Sequence, residues 1–172
     1  MSEKGRGGYT FIELLLYIAI ISVFITGAIY FSWDIILARV KVRTINELNQ
    51  NLRLAAGRIN YEVRNARGLI FAGTDRICLS SFDVGRNPTL IYKDGSQLKI
   101  AWGGGSADCT GALFSESLSS DSVDVTHFRL TDLSSLPQSI NISYELTFEI
   151  GGQKRVWQRS QSISSSAELR SN

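Results

Sequence analysis

The chain has 172 residues, of which 44% are apolar and 20% charged, and its formal net charge is +2. That length accommodates one globular domain with an extension, and the near balance of charge gives no basis for a nucleic-acid-binding surface. One histidine, His127, and two cysteines supply too few ligands for a zinc or iron–sulfur site and little for a catalytic triad. The composition therefore argues against an enzyme, and we expect no metal or other cofactor.

The first element is an apolar run, Leu14–Trp33, which contains no charged residue. Its twenty residues would form a helix about 30 Å long at roughly 1.5 Å per residue, which matches the core of a bilayer. Tyr30 and Trp33 lie near the far end, where aromatic rings favour the membrane interface. Because a helix that is apolar on all sides would need a larger protein to bury it, the run predicts a membrane-spanning helix.

Small residues come before this run, as Gly5, Gly7 and Gly8, and not after it. An ordinary secretory signal has the reverse order, with a shorter apolar region followed by small residues at the cleavage site. Cleavage ahead of the run would discard eight polar residues and keep the helix.

The segment Lys4–Leu16, with the sequence KGRGGYTFIELLL, resembles the cleavage and methylation motif of type IV prepilins and pseudopilins. In that family a short basic leader ends in glycine, an aromatic or hydrophobic residue follows, and a glutamate lies four residues further on. The resemblance implies that a prepilin peptidase cuts between Gly8 and Tyr9 on the cytoplasmic side. It also implies that the same enzyme N-methylates the new amino terminus of Tyr9.

Glu13 is the glutamate of this motif. A carboxylate in a membrane helix costs about 2.5–3.5 kcal/mol at the centre and less near an interface, so it needs a partner. After cleavage, the amine of Tyr9 would lie one helical turn away, in the same chain or in a neighbour. Between subunits, that pair would set the axial register of a filament. The alternative is a carboxylate that reaches the lipid headgroups and has no further role.

Charges flank the apolar run on both sides. Lys4 and Arg6 precede it, but Arg39, Lys41 and Arg43 follow it, and a simple count would place the following side in the cytoplasm. The motif implies the opposite orientation, and long downstream domains translocate largely regardless of charge. We therefore expect a single-pass membrane protein with a cytoplasmic N-terminus and an extracytoplasmic head, located in a cell-surface or periplasmic filament after assembly.

An amphipathic helix is predicted to follow the apolar run. Apolar residues recur at steps of three and four, and no proline occurs before Pro88. We expect one helix that ends at Gly68 and packs against the chain's own sheet; a coiled-coil partner is the alternative. The stripe consists of Ile45, Leu48, Leu52, Ala55, Ile59, Val63 and Ala66.

From Leu69 onward the apolar period changes to two, which predicts an antiparallel sheet of six to eight strands. The helix would cover one face, giving an α+β, pilin-like fold. The domain order is then a leader (1–8), a transmembrane or filament-core helix (9–38), an amphipathic helix (39–68) and a β head (69–172). The clearest strand signals are a hairpin over Thr89–Trp102 with an Asp94-Gly95 turn, a bulge between Val125 and Phe128, strict alternation over Ile140–Ile150, a returning strand over Lys154–Gln161, and an edge strand over Ile163–Leu169.

Cys78 and Cys109 lie thirty-one positions apart in the predicted head. An extracytoplasmic location permits a disulfide, which would stabilise the fold by roughly 3–4 kcal/mol through loop closure. Cys109 lies in a polar loop, which favours pairing, whereas Cys78 lies in an apolar strand, where a buried free thiol is the alternative.

The long helix, the strand-rich head and the serine-rich loops look most like the larger minor pilins and the J-type minor pseudopilins. That resemblance implies a non-enzymatic structural subunit of a type IV pilus or of a type II secretion-like filament. Its partners would be a prepilin peptidase, other pilin or pseudopilin subunits, an inner-membrane assembly platform and membrane lipid. The alternative is a membrane-tethered extracytoplasmic binding module that does not polymerise.

Overall fold

The computed structural model describes residues 10–104, 109–134, 140–151 and 158–169. The chain divides into two compact units, Met1–Val42 and Arg43–Asn172. One long helix, α1 (Phe11–Arg64), contributes to both units and is followed by two antiparallel sheets. The predicted α+β class with a long apolar N-terminal helix is confirmed.

Helix α1 ends earlier than the sequence predicts. Its last residue is Arg64, and the next residue, Asn65, donates to the carbonyl of Tyr61 through both its backbone N–H (3.1 Å) and its side-chain Nδ2 (2.8 Å). The predicted stop at Gly68 is wrong, because Gly68 already lies in the first strand. An asparagine side chain that satisfies a terminal carbonyl closes the helix four residues sooner than the glycine would.

The first sheet has five strands in sequential order, β1-β2-β3-β4-β5, all antiparallel. A short 3₁₀ helix, η1 (Val84–Arg86), connects the second and third strands. The predicted hairpin is confirmed, but its two-residue turn is Gly95-Ser96 instead of Asp94-Gly95, because Asp94 pairs with Gln97. Gly95 has a φ of +59° in this turn. The strands are β1 (Ala66–Ala72), β2 (Arg76–Ser81), β3 (Thr89–Asp94), β4 (Gln97–Trp102) and β5 (Phe114–Ser117).

The second sheet has three antiparallel strands, β6 (Asp124–Asp132), β7 (Asn141–Ile150) and β8 (Arg159–Glu168), in the order β6-β7-β8. A register shift between Val125 and His127 confirms the predicted bulge. One strand replaces the two predicted at the C-terminal end, because β8 pairs with β7 along its whole length. The first half of the predicted Lys154–Gln161 strand, residues 154–157, lies outside the described residues, and its end forms the start of β8.

The head therefore has two sheets where one was expected. Strand β6 does not form a ladder with a strand of the first sheet. It instead makes hydrogen bonds to two turns of that sheet. The N–H of Leu130 donates to the carbonyl of Thr74 (3.0 Å), and the N–H of Val125 donates to the carbonyl of Ser96 (2.7 Å). These hydrogen bonds connect the two sheets only at the turns, so each sheet keeps its own strand register.

The core of the head lies between the second half of α1 and both sheets. The predicted stripe is confirmed from Leu48 to Val63 as the buried face of α1, so the helix packs against its own chain as expected. Ile45 is only half-buried, and Ala66 is buried but lies in β1, because the helix ends before it. From the helix the core contains Leu48, Leu52, Ala55, Ala56, Ile59 and Val63; from the first sheet Ile77, Leu79, Ile91, Leu98 and Ile100; and from the second Ile142, Tyr144, Leu146 and Phe148.

Candidate functional site

The first candidate site is the beginning of α1. Gly8 and Tyr9, the predicted cleavage and methylation residues, lie outside the described residues. Glu13 lies in the first turn of the helix, where a carboxylate interacts favourably with the partial positive charge of the N-terminus by about 0.3–1 kcal/mol. Its position therefore stabilises the helix end whether or not it also pairs with an amine.

Thr10 marks the start of the helix and was not singled out in the sequence. Its carbonyl accepts from the backbone N–H groups of Glu13 (3.0 Å) and Leu14 (3.2 Å). Threonine followed three residues later by glutamate has the spacing of a capping box, a signal that could have found this residue. Because of this spacing, Glu13 could serve only to stabilise the start of the helix, and an experiment must separate that role from a role in assembly.

The first half of α1 presents an exposed apolar surface. Its large apolar side chains are exposed, including Phe24, Ile25 and Phe31. The helix is long and apolar enough to cross a membrane. This surface needs lipid or other apolar helices as its surroundings.

Hydroxyl groups in this apolar half are satisfied within the helix. Ser22 donates to the carbonyl of Ile18 (2.7 Å), Thr26 to that of Ser22 (2.7 Å) and Ser32 to that of Ala28 (2.8 Å). A hydroxyl bonded to the preceding turn costs little in hydrocarbon, because no donor is left unpaired. These three residues therefore do not oppose membrane insertion.

A shallow apolar groove lies on this half of the helix, lined by Val23, Phe24, Gly27, Ala28 and Phe31. A Cβ atom added at Gly27 would meet nothing within 4 Å, so the chain's own packing does not require a glycine there. Small residues flanked by large ones allow a second helix to approach closely.

Cys78 and Cys109 form a disulfide, with their Cα atoms 6.2 Å apart. Cys78 is fully buried in β2, and Cys109 is nearly so, with a φ of +58°. The bond ties the second strand to the segment that precedes β5. The alternative of a free thiol at Cys78 does not describe this structure.

Within the described ranges, no group of three or more His, Cys, Asp and Glu residues is placed to hold a metal ion. His127 Nε2 lies 3.8 Å from Glu145 Oε2 on an exposed face, and Asp121 accepts a hydrogen bond from Gln97.

The fold defines a class of protein with a pilin-like architecture: a long N-terminal apolar helix whose second half packs on antiparallel sheets. No protein-family profile matches the chain, and neither a curated protein nor a solved structure is significantly similar to it.

Proposed function

We propose that this chain is a non-enzymatic structural subunit, a minor pilin or pseudopilin, of a type IV pilus or type II secretion-like filament. The observation that carries the proposal is the continuity of α1, which begins with an apolar segment and ends in the core of the head. A subunit stored in a membrane and then packed by its helix into a filament needs such an apolar surface. It also needs a firm connection between that surface and the head.

Assembly would proceed through the N-terminal helix. The prepilin peptidase frees the amine of Tyr9, and Glu13 of an adjacent subunit pairs with it. The groove at Gly27 gives a neighbouring helix a place to pack closely, and the internally bonded hydroxyls suit both lipid and a helix bundle.

The proposed topology places the leader in the cytoplasm and the head outside it. The Cys78–Cys109 disulfide supports this placement, because disulfides persist in oxidising compartments. The partners are then the peptidase, other pilin or pseudopilin subunits, an inner-membrane assembly platform and membrane lipid.

A membrane-tethered binding module is the second candidate. It is favoured by exposed apolar side chains at one end of the head, such as Val84 and Leu113, which are unusual on a monomer with no partner. Such a module would need an anchor but neither processing at Gly8 nor a pairing role for Glu13.

Co-expression tests the two candidates. The full chain is produced in cells with a prepilin peptidase and a filament assembly system, and sheared surface or periplasmic filaments are separated from membranes. The subunit should appear in the filament fraction only when both systems are present. Retention of all the protein in membranes under every condition would favour the tethered module.

A further inference from the structure

Two arginines of the head share one carboxylate oxygen. Arg58 Nη2 lies 2.8 Å from Glu62 Oε1, and Arg86 Nη2 lies 3.1 Å from the same atom. Arg58 and Glu62 are one turn apart on α1, whereas Arg86 ends η1. The Glu62 side chain is only 11% exposed, whereas each arginine side chain is about one-third exposed, so both arginines present part of their surface to solvent.

This cluster has more donors and positive charge than Glu62 can match. Among the described residues, no other carboxylate pairs with either arginine. A second carboxylate would balance the charge and add the strong, charge-assisted hydrogen bonds that a guanidinium can make.

Aromatic rings hold both guanidinium groups in place. Arg86 lies 4.8 Å from the centroid of the Trp102 ring, and Arg58 lies 5.6 Å from that of Tyr61. Phe114 stacks on Trp102, with the ring centroids 6.1 Å apart. Stacking restricts an arginine before any ligand arrives, which lowers the entropy lost on binding.

An exposed apolar patch adjoins this cluster, and we call it the apolar tip. Leu113 donates its backbone N–H to the carbonyl of Trp102 (3.1 Å), and a Cβ atom on Gly103 would lie 3.5 Å from Leu113 and 3.7 Å from the carbonyl of Gly85. The loop containing η1 and the start of β5 are therefore neighbours. The apolar tip consists of Phe82, Val84, Leu113 and Phe114, which are 63%, 89%, 72% and 58% exposed.

We propose that the arginine pair and the apolar tip form a docking surface for a polypeptide segment that presents a carboxylate beside apolar side chains. The excess positive charge favours a carboxylate in the ligand, and the apolar tip favours apolar side chains next to that carboxylate. Aromatic residues and arginine are the side chains that most often dominate protein interfaces. This surface goes beyond the proposed function, because a filament subunit and a tethered module would use it equally.

Strand β5, which lies beside the apolar tip, favours a peptide over a lipid headgroup as the ligand. All four residues of β5 are exposed, and within the part of the chain that the structure describes this strand pairs only with β4. An extended segment that lies along a sheet edge gains backbone hydrogen bonds, which a lipid does not offer.

The test uses the full chain in detergent micelles and a set of short fluorescent peptides, measured by fluorescence anisotropy. Each peptide has apolar residues around one central position, which is Glu, Gln or Lys. The peptides with central Glu should bind about tenfold more tightly than their Gln counterparts, as expected for one charge-assisted contact. Arg86→Gln should abolish this preference, whereas Val84→Ser should weaken the binding of all the peptides to a similar extent.

Glu62→Gln separates docking from a purely structural ion pair. It removes the competing charge while keeping the shape of the side chain, so central-Glu peptides should bind several-fold more tightly. Arg53→Gln, an exposed arginine of the same helix, is the matched control and should change nothing. Circular dichroism checks that every variant is folded.

The proposal is overturned if no peptide binds, or if the wild-type chain shows no preference for central Glu. It is equally overturned if the preference persists in Arg86→Gln, or if Glu62→Gln leaves it unchanged. Binding to vesicles that contain anionic lipid, with no binding to any peptide, would assign the surface to a membrane instead.

Discussion

The hydroxyl of Tyr144, in the middle of β7, lies 3.1 Å from Oδ1 of Asn60 on α1. The same hydroxyl donates to the carbonyl of Ala56 at 3.2 Å. Tyr144 is thus a polar link between the second sheet and the helix, in a largely apolar core. Burial raises the pKa of Tyr144 above its ordinary value, against the opposing effect of hydrogen bonds with Ser165 and Asn60.

The first prediction is a loss of stability at alkaline pH that depends on Tyr144. Above about pH 10 the unfolded tyrosine ionises while the folded one stays protonated, so rising pH stabilises the unfolded state. Below that pH the contribution is fully present. Urea unfolding at about pH 8 and about pH 10.5 measures the difference.

Tyr144→Phe should lower stability at neutral pH by about 1 kcal/mol, the typical net value of a hydrogen bond, and should make the alkaline loss smaller. Tyr61→Phe, at an exposed tyrosine of the same unit, is the control and should behave like the wild type. Parallel alkaline losses in the wild type and in Tyr144→Phe would contradict the assignment.

The second prediction concerns the helix face that covers the sheets. Ile59 is completely buried in the head, so Ile59→Ala should lower the free energy of unfolding by about 2–5 kcal/mol. Leu54→Ala removes a similar volume from the same helix at a position that is 63% exposed, and should cost less than about 0.5 kcal/mol. Equal effects in denaturant titrations would show that the helix does not pack as described.

Local patterns in the sequence predicted local features of the fold. The stripe through Leu48 and Ile59 and the phase change after Val125 both depend on residues close together in the chain, and both are present. The arrangement of the two sheets involves contacts such as the hydrogen bond between Leu130 and Thr74, which are far apart in sequence. The periodicity of the sequence cannot predict a contact between residues so far apart.

The helix start at Glu13 and the arginine cluster of the head differ in the same respect, which is whether their residues are close together in the sequence. Glu13 is predictable because its motif is contiguous, and Thr10 could have been found from its capping-box spacing to Glu13. The cluster of Arg58, Glu62 and Arg86 was missed, because only the fold brings η1 beside α1. The Arg58–Glu62 spacing of four was the one available signal, and it is common on helices.

The third prediction is that reduction destabilises the head. The Cys78–Cys109 bond closes a loop of about thirty residues, and its loss should cost roughly 3 kcal/mol. Melting the protein with and without reductant should therefore give midpoints about 10 °C apart. Identical curves, together with two thiols that titrate in the native protein, would show that the bond is absent in solution.

The fourth prediction concerns processing. In cells with a prepilin peptidase, the mature chain should begin at N-methylated Tyr9, which mass spectrometry of the membrane-extracted protein detects directly. Replacing Gly8 with a bulkier residue should leave the protein uncut but still inserted, since the apolar helix is unchanged. Gly7→Ala, one residue before the proposed cleavage position, is the control and should still be cut. An intact Met1 or Ser2 terminus in the presence of the peptidase would contradict the prediction.

The last prediction separates the two roles of Glu13. Glutamine at the same position keeps the size of the side chain and the capping-box spacing to Thr10, so Glu13→Gln costs the start of the helix only the dipole interaction of about 0.3–1 kcal/mol. What it removes is the charge that would pair with the Tyr9 amine of a neighbouring subunit. Leaving that amine unpaired in an apolar bundle should cost about 3–5 kcal/mol, or some hundredfold or more in the assembly equilibrium.

The measurement is the ratio of filament-bound to membrane-bound protein in cells with the assembly system. Glu13→Gln should be inserted and cleaved but remain in the membrane fraction, whereas Glu13→Asp, which keeps the charge, should recover part of the assembly. Asp34→Asn removes an exposed carboxylate from the same helix and serves as the control for loss of charge alone. If Glu13→Gln enters filaments like the wild type, the charge of Glu13 has no role in assembly, because this substitution removes the ionic pairing and keeps the side chain's size.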